Sequence, residues 1–468
     1  MTLRVEPPSK TFTVHSSLLF DPKQKAFRKN ISIEIDRDTG SIANVHERDD
    51  EDDLRLQIHA GDIDLRGADK CVLPGLVDIP HITDSYAYGA PTATSDRPSI
   101  EQMRDSSALE RIVRATSHVR AALLAGFTTY RDLGTEALGN ADAQLRDCIN
   151  RGLIPGPRMF VATDALASNG SYEIRRENKS LSGSGGLIVP RASDPCDGVD
   201  GVRAGVRRRV GDGADIIKFY ADYRRKVMRF PGPGTSNTSN QSILFPPDDP
   251  RRRNPAVPLF GQDEMDAIVR EAKLAELPVA AHAGETKAAL MAARAGVTTV
   301  EHMFEDSNGL LDETLEEMKR QGTIWVPTLA TVESAAPQFM EDCLAAVRKA
   351  VKVGVRVVTG GDTGVIDHGL NARELELFVK AGISIEEVLE MATVGGWEAC
   401  GGELTGYRFG WWEKGCRADI IALDADPRKD EKALRKVGFV MKDGKVWKRD
   451  GRAVDMITVP EFPPSMDN

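Results

Sequence analysis

Apolar and polar positions change their period twice along this chain. From Thr11 to Leu73 they alternate in short runs such as Ile31-Ser32-Ile33-Glu34-Ile35, broken at Asp38-Thr39-Gly40, a pattern of β-strands joined by turns. The acidic run Asp49 to Asp53 interrupts this and predicts an exposed loop. From Pro74 to about residue 400 an apolar run is repeatedly followed or preceded by an amphipathic helical stretch, as at Ser106 to Leu124, Ala141 to Gly152 and Gln262 to Ala275. Strand patterning then returns at Ala418 to Leu423, Val437 to Met441 and Lys445 to Trp447, with a turn at Lys442-Asp443-Gly444.

The central region holds eight strand candidates: Val72 to Asp78, Gly126 to Asp132, Arg158 to Ala162, Ala214 to Tyr220, Pro278 to His282, Val297 to His302, Ile324 to Pro327 and Gly354 to Asp362. Eight alternations over about 300 residues favour a (β/α)8 barrel over a doubly wound open sheet. The fold expected is therefore α/β, a distorted TIM barrel over residues 74–402, beside a small β-sandwich built from both chain ends, residues 1–73 and 403–468. Two Ser-, Gly-, Asn- and Pro-rich stretches, Ser168 to Asp197 and Arg229 to Pro258, read as long loops over the presumed pocket.

Composition narrows the function classes. A net charge of −10 argues against a nucleic-acid partner, and the clusters Arg207 to Arg209 and Arg251 to Arg253 read as solvated surface. Cys71, Cys148, Cys196, Cys343, Cys400 and Cys416 form no CxxC pair, so a reducing compartment is the simpler assumption. With no apolar stretch of about 18 residues, no membrane span is expected, and a cytoplasmic location follows by default.

Chemistry concentrates where the apolar runs end. Lys218 follows Asp215-Ile216-Ile217, His282 follows Val279-Ala280-Ala281, His302 closes Thr298 to Glu301, and Asp362 stands after Gly360-Gly361. Alone, each has a bland role: a snorkelling lysine, a core histidine, a helix-capping aspartate. Together, at the C-terminal ends of barrel strands, they read as a metal site with zinc as the best match to imidazole and carboxylate donors. Lys218, if deprotonated by burial, can take up carbon dioxide as a carbamate.

These residues and their surroundings, Leu73-Pro74-Gly75-Leu76-Val77-Asp78, Ile217-Lys218, Ala281-His282-Ala283, Val300-Glu301-His302, Gly361-Asp362-Thr363 and Gly415 to Ile420, resemble the amidohydrolase superfamily, in its imidazolonepropionase-like and prolidase-like branch. The resemblance spans nearly the whole chain. It implies one or two divalent ions, Lys218 as a carbamylated bridge, His282 and His302 as ligands, and Asp362 as ligand and proton shuttle. Metal hydroxide would then attack an amide or other C–N bond of a small organic molecule, and homo-oligomers are common.

Strand one departs from that pattern. The family continues Pro-Gly-Leu-Val-Asp with X-His-X-His, whereas here the corresponding positions are Pro80 and Ile82. His81 has the wrong parity unless the register slips by one residue. A second ion is thereby doubtful, and three readings stay open: a hydrolase with one or two zinc ions, a lyase, dehydratase or cyclase of secondary metabolism with one or no metal, and a catalytically silent barrel. Tyr220, Tyr223 and Tyr172, with Tyr86 and Tyr88, could line a pocket for an aromatic substrate, and His368, just after Asp362, is a further candidate for substrate contact. His118 reads as structural.

Overall fold

The computed structural model describes residues 9–67, 69–81, 106–171, 176–177, 187–188, 192–224 and 256–456. Strands from both ends of the chain form one nine-stranded sheet. Its order runs Arg452–Ala453, Lys445–Arg449, Val437–Lys442, Ile420–Leu423, Cys71–Pro74, Thr11–Asp21, Ala26–Asp36, Ile42–Glu47, with Ile63–Asp64 also paired to Thr11–Asp21. The two ends meet where Cys71–Pro74 pairs antiparallel with Ile420–Leu423. Period-2 geometry explains how this sheet serves two cores. Val72, Ile420, Ala422, Phe439 and Met441 pack with Ile31, Ile33, Trp411 and Trp412. Cys71, Leu73, Ile421, Leu423 and Val440 turn the other way, onto the core that covers the central helices. The acidic run differs from the loop expected, since Asp50–Arg55 is a short helix. Buried Arg48 explains its docking, because Asp53 accepts from both its Nε (3.1 Å) and its Nη2 (2.8 Å).

Between these strands lies a parallel α/β region. Leu76–His81, Phe127–Asp132 and Arg158–Val161 form a three-stranded sheet, while Ser193–Pro195, Ala165–Ala167, Ile217–Tyr220, Val279–Glu285, Thr299–Glu305 and Ile324–Val326 form a six-stranded one. The break falls at buried Thr163, whose φ of 60° is left-handed and cannot continue a strand. Contact across it persists through Asp215 N and Ile216 N, which donate to Val161 O. Both sheets share one interior cluster: Val77 and Ile79 meet Phe160, Ala162, Ile216, Ala280, Val326 and Val358. Six cysteines are free thiols, and no helix among the described residues is long and apolar enough to cross a membrane.

Three expectations need correction. The run from Gly354 to Asp362 is no regular strand; its backbone pairing with Ile324–Val326 is a bridge from Trp325 to Val357 with the bonds Trp325 N to Arg356 O and Val358 N to Trp325 O. Its glycines and the left-handed Asp362 explain why, and Gly360 lies so close to strand one that a Cβ there would sit 0.9 Å from Ile79 O. The stretch Ser168 to Asp197 is not all loop, since Ser193–Pro195 extends the larger sheet. Likewise Ala256–Pro258 pairs antiparallel with Asp222–Arg224. Residues 225–255, and with them most of the second expected cover, lie outside the described residues.

A buried ionic cluster joins the parallel region to the nine-stranded sheet. Arg158 donates to Asp419 at 2.7 and 3.3 Å and to Asp443 at 2.5 Å, and Asp443 N donates to Asp419 at 2.9 Å. Removing one partner of such a group strands the other in low dielectric. Asp419→Ala is therefore expected to cost about 3 kcal/mol, read as a lower urea midpoint with an unchanged slope.

Candidate active site

Strand register sets the site. Lys218 stands opposite Ala280, Tyr220 opposite His282, and His282 opposite Glu301, so Lys218, Tyr220, His282 and Glu301 share one face of the larger sheet. His302 follows Glu301 and by parity would face away. Its φ of 77°, with 60° at Met303, turns the chain instead, and the two imidazoles meet at 4.7 Å between ring centroids. Glu136, Thr328 and Asp362, around the same site, are also left-handed. Such strained residues persist only where surrounding structure holds them, here against buried hydrogen bonds.

Each imidazole has a partner on a different nitrogen. His302 Nδ1 is 2.9 Å from Thr328 Oγ1, and its backbone carbonyl accepts from Trp325 Nε1 at 2.9 Å. His282 Nε2 lies 3.6 Å from Asp222 Oδ1. Burial, helped by the Lys218 charge, pushes His302 down to about 3, so its ring is neutral at any working pH. Burial likewise lowers Lys218 to about 8, against the opposing charges of Glu301 and Asp362. Asp362 is raised to about 7, mainly by burial, although Lys218 pulls it back. Asp222 is also raised to about 7 by burial, opposed by the N–H groups of Gly284 and Glu285.

Under Lys218 runs an ion pair that the sequence reading missed. Arg131 Nη2 donates to Glu301 Oε1 at 2.7 Å, with 1% and 0% of the two side chains exposed. Arg131 Nη1 also reaches Thr299 Oγ1 at 2.9 Å and Ala399 O at 3.0 Å. Opposite charges embedded in two apolar strands were the available signal, since unpaired charges are almost never fully buried. Asp78, within the strand Leu76–His81, accepts from Gly361 N (3.1 Å), Thr363 Oγ1 (2.6 Å) and Asn371 Nδ2 (2.7 Å), which pins the segment carrying Asp362 to that strand.

The remaining candidates fall in different places. Tyr220 packs 4.9 Å from His282 and lies 5.9 Å from Lys218 Nζ, and it clusters with Tyr223, Ala137 and Ala192. His368 stacks on His118 at 3.9 Å, toward the Ala108–Leu124 helix. Tyr172, Tyr86 and Tyr88 lie outside the described residues. His81 stands opposite Asp132 in the backbone register, which shifts between Asp78 and His81; its side chain and that of Pro80 are not among those described.

Among the described residues no three His, Cys, Asp or Glu side chains are grouped to hold an ion by themselves. The donor chemistry nevertheless fits one divalent cation: two imidazoles, one held neutral, each anchored through one nitrogen, beside a buried lysine and a buried carboxylate.

A parallel α/β region with titratable groups at its strand ends is an arrangement that enzymes of TIM-barrel-like α/β fold share. Residues 71–448 match the model of the amidohydrolase family, and the chain belongs to that family, whose members are typically metal-dependent; it is a hydrolase acting on C–N bonds. It is similar to ochratoxinase of Aspergillus niger, 29% identical over an alignment of 368 residues, with 70% of this chain and 67% of the relative covered. Among solved structures, a Xaa-Pro dipeptidase with bound methionine is 26% identical with a TM-score of 0.72, over 94% of this chain and all of that one. The structure of A. niger ochratoxinase superposes with a TM-score of 0.72 at 23% identity, over 96% and 99% of the two chains, a likeness of fold.

Proposed function

We propose that the protein hydrolyses an amide bond in a small, partly aromatic organic molecule, using a single divalent cation, zinc by donor chemistry, in a distorted (β/α)8 barrel over residues 74–402 flanked by the sheet of both chain ends. The observation that carries this is the pair of adjoining imidazoles, His282 and His302, beside Lys218 and Asp362. The names of the similar proteins, an ochratoxinase and a Xaa-Pro dipeptidase, support an amide as the bond cleaved.

When bound, the cation would supply Lewis acidity, polarising the carbonyl and making water acidic near neutrality. His282 and His302 would hold it, with Lys218 as amine or carbamate and Asp362 as further donors. Asp362 takes the proton of the attacking water and returns it to the leaving nitrogen. Its carboxyl, buried beside Lys218, is placed to keep that proton between the two transfers. Tyr220 and Tyr223 offer aromatic wall to the substrate. One ion rather than two is favoured by strand one, where the sequence read without a gap has Pro80 and Ile82 in place of two imidazoles and a one-residue slip would bring in His81 alone.

The test is product analysis. Purified protein is incubated with Xaa-Pro dipeptides and N-aroyl amino acids, and mass spectrometry in H2 18O is expected to find one labelled oxygen in the released acid. Turnover without incorporated oxygen would assign the site to elimination or cyclisation instead.

A further inference from the structure

We infer that Glu374 is a positioning residue for Asp362, setting where the Gly360-Gly361-Asp362 segment lies against the helix Leu329–Ala335; this rests on the reading of Asp362 as the proton carrier. Glu374 is 0% exposed and stands in the first turn of the helix Ala372–Lys380. It accepts Leu329 N at 3.0 Å through Oε1 and Ala330 N at 2.6 Å through Oε2, and Gly360 N–H bonds to the same carboxylate. One turn of chain closes the circuit, because Thr331 Oγ1 donates to Gly361 O at 2.9 Å. A Cβ on Gly361 would stand 3.6 Å from Glu374 Cβ, so the glutamate stem runs beside the backbone that leads into Asp362.

That segment needs such support. Two glycines and a left-handed Asp362, with φ of 53°, follow a run attached to its neighbour by a single bridge, so no regular ladder fixes the carboxylate. Asn371, at the start of the same helix, adds a second tie by donating to Thr363 Oγ1 at 2.9 Å. Burying a carboxylate is costly unless donors meet it, and here two oxygens meet backbone N–H groups from two segments of chain. A carboxamide could not do the same, since its NH2 group would face one of those donors. The chemistry is sensitive to the result, because misplacing a reacting group by about 1 Å can cost about 100-fold in rate.

The test compares amide hydrolysis by Glu374→Gln, Asp362→Asn and the double variant. Glu374→Gln is expected to lower kcat about 10- to 100-fold with KM changed less than about threefold. In the Asp362→Asn background it should add no further loss, because a residue acting through Asp362 then has nothing to act on. Losses that multiply in the double variant overturn the proposal, as does full turnover in folded Glu374→Gln. Glu374→Asp, which keeps the charge but draws both oxygens back by one methylene, carries the same expectations should the glutamine variant not fold. Hydrogen exchange in metal-free protein reads the contact without activity: the amides of Leu329, Ala330 and Gly360 should exchange at least about tenfold faster in the variant, and unchanged rates overturn the proposal. Full turnover in Asp362→Asn alone would instead sink the proton-carrier reading, and the proposal with it.

Discussion

Replacing Arg131 by methionine is expected to destabilise the protein by about 3 to 5 kcal/mol, the usual cost of removing one partner from a fully buried ion pair. Glu301 would keep its bond from Thr299 Oγ1, at 2.5 Å, but lose the guanidinium that neutralises it. Its Oε2 already has no hydrogen-bond partner among the described residues, which leaves the nearby Lys218 charge as its remaining counterweight. Ala399 O would lose a donor too. Urea unfolding measures the loss, and the double variant Arg131→Met, Glu301→Gln should recover part of it because no net charge is then buried. A loss below about 1 kcal/mol in the single variant would show that the pair does not carry the interior.

The second large effect concerns Asp362. Asp362→Asn is expected to lower turnover by about 100- to 10,000-fold, the range typical of a lost general acid–base group, with smaller change in KM. Stability should move the other way in metal-free protein. Burial raises the folded-state pKa to about 7 from 3.8, so between those values the folded protein keeps a proton that the unfolded chain releases. Stability therefore falls as pH rises through this window, by up to about 1.4 kcal/mol per unit for one such proton. The asparagine variant lacks this term, so its stability at pH 8 should exceed that of the unsubstituted protein while its activity is lost. A variant that retained activity would remove Asp362 from the proton path.

Much of this molecule could be read from residue order alone, for reasons specific to each part. Lys218 and His282 were visible because each ends an apolar run on the inward-facing parity of its strand. His302 was visible by type, yet its orientation was not, since a left-handed residue breaks the alternation that parity reasoning assumes. The Arg131–Glu301 pair was hidden by the 170 residues that separate its members. Asp222 was hidden because the backbone donors that hold it, Gly284 and Glu285, lie 62 and 63 residues further on. The missing eighth strand reflects glycines that bring strand one and Asp362 together at the expense of a regular ladder.

Elemental analysis of the purified protein, alongside His302→Ala, tests the central claim most directly. About one equivalent of zinc or a similar divalent metal per chain is expected, lost together with hydrolysis in the variant. Less than about 0.2 equivalents in an actively hydrolysing preparation would contradict it.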